Sequence, residues 1–573
     1  MKYIFKTLKP YEYLFFLFIF GLILTQTYFE MELIGFVEQL LDLVGVTTST
    51  SDFWVVGLKM MGTAVIILLA IICVNILASY LSAKIAMNLR REVFKKVNSF
   101  SATEINRFST ASLITRSTND VSQVQQTFMM CLRMMFTAPC MAFFAIRKIT
   151  MTDITLTWVT AGYLIVMLVI LVTITIFVLP KFSLLQKRTD KLNLVTRENL
   201  SGIRVVRAYN AEKQQMQNFN TANTELTKTN LFVTRVMSVM NPSLNLIMHL
   251  MSLTIYWVGA HLMKDLIVDY PIVATFSQYS MHVIMSFMFI TLMFVMIPRG
   301  IVSLRRLGEI LDTKVTIKDG ELSSSKNLGT IEFRNVYFSY PDAEEPVLED
   351  ISFKAEKGET VAFIGSTGSG KSTLINLIPR FYDATSGQVL VDGIDVKAYN
   401  LETLHDKIGY VPQKANLFSG TIESNMKLSK EDATNEEIKV ALEIAQCGFV
   451  EELEDGYSQP VSRGGKNFSG GQKQRLSIAR AVIKTPEILI FDDSFSALDF
   501  KTDKNLRTAI KKHAKDTTIL IVAQRINTII DADKIIVLDN GKMVGMGTHE
   551  ELLNSNNVYK EIVASQTKQG GDK

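Results

Sequence analysis

Six long apolar stretches constrain the fold of this chain more than any other feature of its sequence. A helix needs about 20 consecutive, mostly apolar residues to cross the hydrocarbon core of a bilayer. The stretches occupy residues 13–37, 60–83, 127–146, 155–178, 237–262 and 272–297. They predict an all-α membrane part with six spanning helices in the first half of the chain.

Composition indicates that a soluble part follows the membrane part. A hydrophobic content of 48% over 573 residues and a mean hydropathy of +0.21 are too high for a soluble protein of this size. The charged content of 20% is too high for a protein that lies entirely in the membrane. A membrane part joined to a soluble part explains both values.

Basic residues predict how the chain is oriented. They precede the first stretch and follow the second, as Lys2, Lys6, Lys9, Arg90, Arg91, Lys95 and Lys96. Loops rich in Lys and Arg stay in the cytoplasm, so the N-terminus and the soluble part are predicted to be cytoplasmic. Arg147 and Lys148 go against this bias. No small-residue cleavage site ends the first stretch, so we expect a multi-pass protein of a bacterial plasma membrane.

The soluble part contains a glycine-rich loop between a predicted strand and a predicted helix. Residues 360–364 (TVAFI) are typical of a buried parallel strand, and GSTGSGKS, the phosphate loop, follows at residues 365–372. In this pattern backbone N–H groups surround phosphates, the lysine reaches the β- and γ-phosphates, and the serine ligates Mg²⁺. The predicted nucleotide-binding residues here are Gly365, Ser366, Thr367, Gly368, Ser369, Gly370, Lys371, Ser372 and Thr373. A second predicted strand, residues 488–491, ends in Asp492, which is placed to hold Mg²⁺.

A second glycine pair opens a later helix. Ser469, Gly470, Gly471 and Gln472, the SGGQ segment, place a hydroxyl and two glycines at a helix start, where anions bind readily. Together with the phosphate loop and IFDDSFSALD at residues 490–499, this segment resembles the ATP-binding cassette family. The resemblance implies ATP and Mg²⁺ as cofactors. It also implies a dimer in which the SGGQ segment of one cassette closes on the ATP held by the other.

The resemblance implies an architecture as well. Six spans followed by one cassette are similar to an exporter half-transporter. A transmembrane domain is expected at residues 1–312, a linker at 313–330, and an α/β P-loop ATP-binding cassette domain at 331–573. Residues 101–112 and 204–212 would hold the turns that couple the membrane part to the cassettes.

Three further site residues are implied by the family's motifs. Tyr340, in FSYP, would stack on adenine. Gln413, in YVPQ, would sense the γ-phosphate and Mg²⁺, so that the expected metal-site residues are Ser372, Gln413 and Asp492. Asp499, in SALD, would signal across the dimer.

The sequence departs from the family pattern in four places. Asp493 stands where the catalytic Glu is usual, and Gln524 stands where His is usual. Phe468 replaces the usual Leu before the SGGQ segment. Residues 463–465 (RGG) replace Glu-Arg-Gly, which puts one contact across the dimer in doubt.

The first two departures weaken catalysis. Asp is one methylene shorter than Glu, so its carboxylate lies about 1.5 Å further from the attacking water, and general-base catalysis is worth about 10²–10⁴ in rate. Gln524 donates one hydrogen bond but cannot become an imidazolium. We therefore expect a degenerate ATP site in a heterodimer with a second, non-identical half-transporter. A slow but working homodimer is the alternative.

The cargo is less strongly indicated. Two spans are rich in methionine, at Met129, Met130, Met134, Met135 and Met141, and at Met281, Met285, Met288, Met293 and Met296. Methionine suits surfaces that accept varied hydrophobic ligands, and it equally suits ordinary helix packing. Glu30 and Glu32 lie late in the first span, and acids within a membrane are candidates for function, here with cationic cargo; alternatively they are simply hydrated.

The predicted function is ATP-driven export of hydrophobic drugs or lipid-like molecules from within a lipid bilayer. No nucleic-acid partner is expected. A peptide exporter subunit, and an ATP-gated regulator or channel, are the alternatives.

Overall fold

The computed structural model describes residues 2, 9–46, 50–323, 328–341 and 343–569. Lys6 and residues 324–327 of the predicted linker lie outside the described residues. The chain forms two compact units, the first of Met1–Asn98 and Ala111–Thr313, the second of Ser99–Thr110 and Lys314–Lys573. The predicted domain bounds stay predictions.

The first unit is built from helices. In chain order the helices up to residue 312 are α1 (Glu12–Val46), α2 (Thr50–Asn98), α3 (Ala102–Phe108), α4 (Thr110–Thr115), α5 (Val121–Thr152), α6 (Ile154–Ser201), α7 (Ile203–Ala208), α8 (Glu212–Lys264) and α9 (Tyr270–Asp312). A π-helical turn, Arg116–Asp120, joins α4 to α5. Six helices in the described part are long and apolar enough to cross a membrane, so the predicted six spans are confirmed.

Several spans are much longer than a bilayer is thick. Helices α2, α6 and α8 have 49, 48 and 53 residues. At 1.5 Å per residue each is about 70–80 Å long, against a hydrocarbon core of about 30 Å. Their polar ends therefore extend beyond the membrane.

The second unit holds the sheets. Its strands are β1 (Ile331–Phe338), β2 (Leu348–Ala355), β3 (Thr360–Gly365), β4 (Ser386–Val391), β5 (Ile394–Asp395), β6 (Ile408–Val411), β7 (Gly420–Thr421), β8 (Pro460–Val461), β9 (Ile488–Asp492), β10 (Thr518–Val522), β11 (Lys534–Asp539) and β12 (Lys542–Gly547). Its remaining helices are α10 (Lys371–Asn376), α11 (Leu401–Lys407), α12 (Ile422–Lys427), α13 (Asn435–Ile444), α14 (Gly470–Val482), α15 (Phe500–His513), α16 (Ile526–Ile529), α17 (His549–Ser555) and α18 (Asn557–Gln569).

A six-stranded sheet forms the centre of this unit. Its order is β12-β11-β3-β10-β9-β6, and all neighbours are parallel except β11 and β12. Strands β9 and β10 are buried along their whole length, because hydrophobic clusters cover both faces of the sheet. Burial on both faces explains why the sequences of these strands are continuous apolar runs. The predicted strands at 360–364 and 488–491 are confirmed as β3 and β9. The other main sheet has the order β2-β1-β4-β5.

Candidate nucleotide site

The ends of parallel strands bring most of the predicted site residues to one edge of the sheet. Strand β3 ends at Gly365, where the phosphate loop begins, and β9 ends at Asp492. Gln524 follows β10 by two residues, and Gln413 follows β6 in the same way. Ligands of open parallel sheets bind at the carboxyl ends of the strands, so this edge is the candidate site.

Two glycines give the phosphate loop a backbone that other residues rarely adopt. Gly368 and Gly370 have φ angles of 86° and 92°. A Cβ atom at Gly370 would lie 2.7 Å from the Leu348 side chain. The turn leads directly into α10, which begins at Lys371. This strand–loop–helix geometry suits a loop that surrounds phosphate groups.

The Lys371 ammonium group points into the phosphate loop. Its Nζ donates to the Gly365 carbonyl at 2.9 Å, to the Ser366 carbonyl at 2.6 Å and to Ser369 Oγ at 3.2 Å. Burial lowers the pKa of Lys371, although two nearby carboxylates oppose this. A buried cation held by neutral oxygens is well placed to exchange them for phosphate oxygens.

Ser372 and Asp492 form a hydrogen-bonded pair beside the loop. Ser372 Oγ donates to Asp492 Oδ1 at 2.7 Å. Burial raises the pKa of Asp492 above its usual range, partly offset by the bond from Ser372. The described residues contain no group of three or more His, Cys, Asp or Glu side chains that could hold a metal ion by themselves. One carboxylate and one hydroxyl beside a phosphate site still fit Mg²⁺, which commonly takes few protein ligands together with phosphate oxygens.

Asp493 is held between two glutamines. Its Oδ2 accepts from Gln413 Nε2 at 3.0 Å and from Gln524 Nε2 at 2.9 Å. Burial raises the pKa of Asp493, while the bond from Gln413 and the charge of Lys371 act against the rise. The residue is 7% exposed. The structure thus joins both predicted catalytic positions and Gln413 in one hydrogen-bonded group.

Tyr340 lies beside the helix that follows the phosphate loop. Its hydroxyl group is 3.0 Å from Thr373 Oγ1. Its ring meets the Tyr382 ring edge-on, with centroids 5.3 Å apart. The ring is therefore next to the phosphate loop, where an adenine base linked to bound phosphates would lie, and its stacking role stays a prediction.

The SGGQ segment forms the start of α14 and makes hydrogen bonds within itself. Ser469 Oγ accepts from the Gln472 amide at 3.3 Å, and Gln472 Oε1 accepts from the Ser469 amide at 2.9 Å. This is a capping box. Within the described residues, no hydrogen bond links this segment to the phosphate loop.

The remaining predicted residues lie near this segment or at helix ends. Asp499 caps α15 by accepting from the Thr502 amide at 2.9 Å, and backbone hydrogen bonds lower its pKa. Phe468 is 8% exposed and packs against Phe449, so the aromatic replacement is accommodated in the core. Residues 463–465 form a short 3₁₀ turn.

Two residues of the site were not predicted from the sequence. Tyr410 donates to Asn376 Oδ1 at 3.0 Å and lies 3.5 Å from Asp492 Oδ2; its position three residues before Gln413 is a signal that could have indicated it. Gln566, on α18, donates to the Gln524 carbonyl at 2.7 Å and accepts from the Ile526 amide at 2.9 Å. No sequence signal indicates Gln566, because it lies 42 residues from Gln524.

The two predicted coupling segments differ in surroundings. Residues 102–108 form α3, which belongs to the second unit, and Asn106 Nδ2 donates to Tyr382 Oη at 3.2 Å. Residues 203–208 form α7 in the first unit, and the side chain of Tyr209 behind it is 80% exposed. Their coupling role stays a prediction.

Membrane-spanning helices together with a phosphate loop on a parallel sheet define a membrane protein with a nucleotide-binding domain. Residues 15–287 match the model of the ABC transporter transmembrane region, and residues 348–496 match that of the ABC transporter. The chain belongs to the ABC transporter family. It is an exporter-type, multi-pass protein of the plasma membrane with an ATP-binding domain.

Relatives and a solved structure agree with this assignment. An uncharacterized ABC transporter ATP-binding protein of Mycobacterium tuberculosis is 38% identical over 89% of both chains. A Staphylococcus aureus protein named as a multidrug export ATP-binding/permease protein is 33% identical over 86% of this chain and 85% of its own. The structure of a bacterial Atm1-family ABC exporter with ATP bound shares the fold, with a TM-score of 0.79 and 22% identity over 97% of this chain and 99% of that one.

Proposed function

We propose that this chain is one subunit of a heterodimeric exporter whose own ATP site binds nucleotide but hydrolyses it poorly. Its SGGQ segment would complete the hydrolytic site of a non-identical partner. The cargo would be hydrophobic drugs or lipid-like molecules, in keeping with the name of the Staphylococcus aureus relative.

The observation that carries the proposal is the pair of amides on Asp493. A general base must come within about 2.6–3.2 Å of the water it activates. Here the carboxylate is one methylene shorter than the family's Glu, and one of its oxygens already accepts from both Gln413 and Gln524. Gln524 also directs one amide N–H to Asp493, whereas the family's His would serve the γ-phosphate. Both features reduce the rate of hydrolysis at this site.

The binding half of the site remains complete. Lys371 would hold the β- and γ-phosphates, Ser372 and Asp492 would hold Mg²⁺, and Tyr340 would stack on adenine. When bound, MgATP supplies the phosphoryl group to be cleaved. The chain's residues would position MgATP. The general base that they supply is the short Asp493 carboxylate, whose Oδ2 already accepts two hydrogen bonds. ATP is therefore expected to stay bound for longer than one cycle of the partner's site.

Binding and turnover measured on the chain purified alone test this proposal. We expect magnesium-dependent binding of radiolabelled ATP with little release of phosphate. Lys371→Ala should abolish the binding, which shows that the phosphate loop carries it. Robust magnesium-dependent ATPase activity from the pure homodimer would contradict the proposal.

A further inference from the structure

The first unit contains a cavity of about 450 Å³ between α1, α2, α5 and α9. Four methionines and Phe289 supply much of its apolar lining, and Gln26, Glu30, Arg133 and His282 are among its polar residues. An apolar cavity with a few convergent polar groups is the usual form of a small-molecule site. The polar groups therefore indicate which molecules it accepts.

The two acids of the first span have different surroundings. Glu32 Oε1 pairs with Lys148 Nζ at 3.0 Å, so its charge is balanced. Glu30 Oε1 accepts from Gln26 Nε2 at 2.9 Å. Its Oε2 is buried and accepts no hydrogen bond from any described residue. A buried oxygen that accepts no hydrogen bond raises the free energy of the folded protein. A hydrogen-bond donor on a ligand would remove this penalty.

His282 offers a second acceptor at the same end of the cavity. Tyr279, one turn earlier on α9, donates to the Met31 carbonyl at 3.2 Å, which places His282 near the level of Glu30. His282 Nδ1 lies 3.0 Å from the Gln278 carbonyl oxygen. A carbonyl only accepts, so Nδ1 is the donor, and in an imidazole with a single N–H the other nitrogen, Nε2, is an acceptor.

Arg133 lies towards the other end of the cavity and does not neutralise Glu30. Phe16 packs on Phe128, and Glu32 pairs with Lys148, so α1 and α5 run side by side in the same direction. In that register Glu30 and Arg133 differ by roughly ten residues, about 15 Å at 1.5 Å per residue. Of the cavity's polar lining groups, Glu30 and His282 therefore offer acceptors at this end, and the amide of Gln26 is already bonded to Glu30.

We propose that Glu30, assisted by His282, is the specificity-determining group of a site for apolar molecules that carry a protonated amine. The ammonium group donates to Glu30 Oε2 and His282 Nε2, and the apolar body lies along the methionines. This inference rests on the proposed export function and names its class of cargo. Glu32, already paired with Lys148, takes no part.

Equilibrium binding tests this site without ATP or transport. The full-length chain in nanodiscs is titrated with a tritiated naphthyl-alkylamine and with the naphthyl-alkanol of equal length, and binding to empty nanodiscs is subtracted. Glu30→Gln should weaken amine binding about tenfold, as expected for loss of a charge-assisted hydrogen bond, and change alcohol binding less than twofold. His282→Phe should cause a smaller loss that is also selective for the amine. Glu32→Gln, the matched control, should change neither.

Three results would overturn the inference: equal effects of Glu30→Gln on amine and alcohol, no effect on either, or no binding of the amine by the unmodified chain. ATP binding by the same samples is measured in parallel. Because that measurement tests the proposed function by itself, any of these three results with ATP binding retained contradicts only the cavity site. Equal ATP binding by all variants also shows that they are folded.

Discussion

At the scale of single residues, the proposed function separates nucleotide binding from hydrolysis by the length of one side chain. Lys371, Ser372 and Asp492 have the contacts that the binding role requires. Asp493 lies next to them, but its carboxylate is short and already accepts two amides. The proposed asymmetry therefore depends on residues 493 and 524, and changing these two tests it.

The double substitution Asp493→Glu and Gln524→His should restore hydrolysis to the chain purified alone. Glu extends the carboxylate by about 1.5 Å, and His removes one of its two amide partners and supplies an imidazole. With general-base catalysis worth about 10²–10⁴, we expect at least a tenfold rise in ATPase rate. The control is Asp493→Asn with Gln524→His, which removes the negative charge at position 493. Its ATPase rate should not rise. A double variant no faster than the natural chain would contradict the interpretation of Asp493.

What the sequence predicts at this scale depends on distance along the chain. The phosphate loop is a local strand–loop–helix pattern, so the position of Lys371 follows from neighbouring residues. Asp492 follows because a buried strand must end at the same edge of the sheet. The contact of Gln566 with the loop of Gln524 joins distant segments through α18 and has no local pattern. Nor could the sequence show that Glu32 is paired while Glu30 keeps a bare oxygen, because this depends on which helix faces each side chain.

At the scale of elements, α18 holds the loop that carries Gln524. Gln566 bonds the backbone on both sides of Arg525, so it limits how far Gln524 can move from Asp493. Gln566→Ala should remove two hydrogen bonds worth about 1 kcal/mol each and speed amide hydrogen exchange in residues 524–529 severalfold. Ser565→Ala is the matched control, because among the described residues Ser565 Oγ bonds the Ile562 carbonyl of its own helix and no other group. Unchanged exchange in Gln566→Ala would show that α18 does not restrain the loop.

Helix α3 is fixed to the start of the linker by Glu104. This buried carboxylate accepts four hydrogen bonds, two from Ser101 and two from Thr316. Burial raises the pKa of Glu104, but the bonds from Ser101 and Thr316 outweigh it and leave the pKa below its usual value. A lowered pKa stabilises the fold above the unfolded value of about 4.3, and the stabilisation is lost as pH falls through the folded pKa.

The expected consequence is a pH-dependent difference between the natural chain and Glu104→Gln. The melting temperature of the natural chain should exceed that of Glu104→Gln at pH 7. This difference in melting temperature should shrink as the pH falls from about 5 to about 3. Glu402→Gln, at an exposed position of α11, serves as the control and should show no such narrowing. A gap that stays constant with pH would mean that the charge of Glu104 contributes nothing.

At the scale of the whole molecule, the chain's two nucleotide-related segments are expected to serve different sites. In the structure, the SGGQ segment and the phosphate loop are not joined by any hydrogen bond in the described part of the chain. Under the proposed function, each meets its counterpart on a second subunit. The phosphate loop would belong to the slow site, and the SGGQ segment to the partner's fast one. This division of roles is the central claim, and it predicts unequal effects of damaging the two segments.

The most direct test compares Lys371→Ala with Gly471→Asp, each assembled with the unmodified partner subunit and assayed for ATPase activity and dye efflux. Lys371→Ala empties the slow site and should reduce both activities only partly. Gly471→Asp puts a negative charge at the start of α14, where it repels the partner's γ-phosphate, and should nearly abolish both. Gly471→Ala is the control, because a Cβ there meets ordinary contacts at 3.5 Å and 3.8 Å. Equal losses from Lys371→Ala and Gly471→Asp would mean that both sites hydrolyse alike and would contradict the degenerate site.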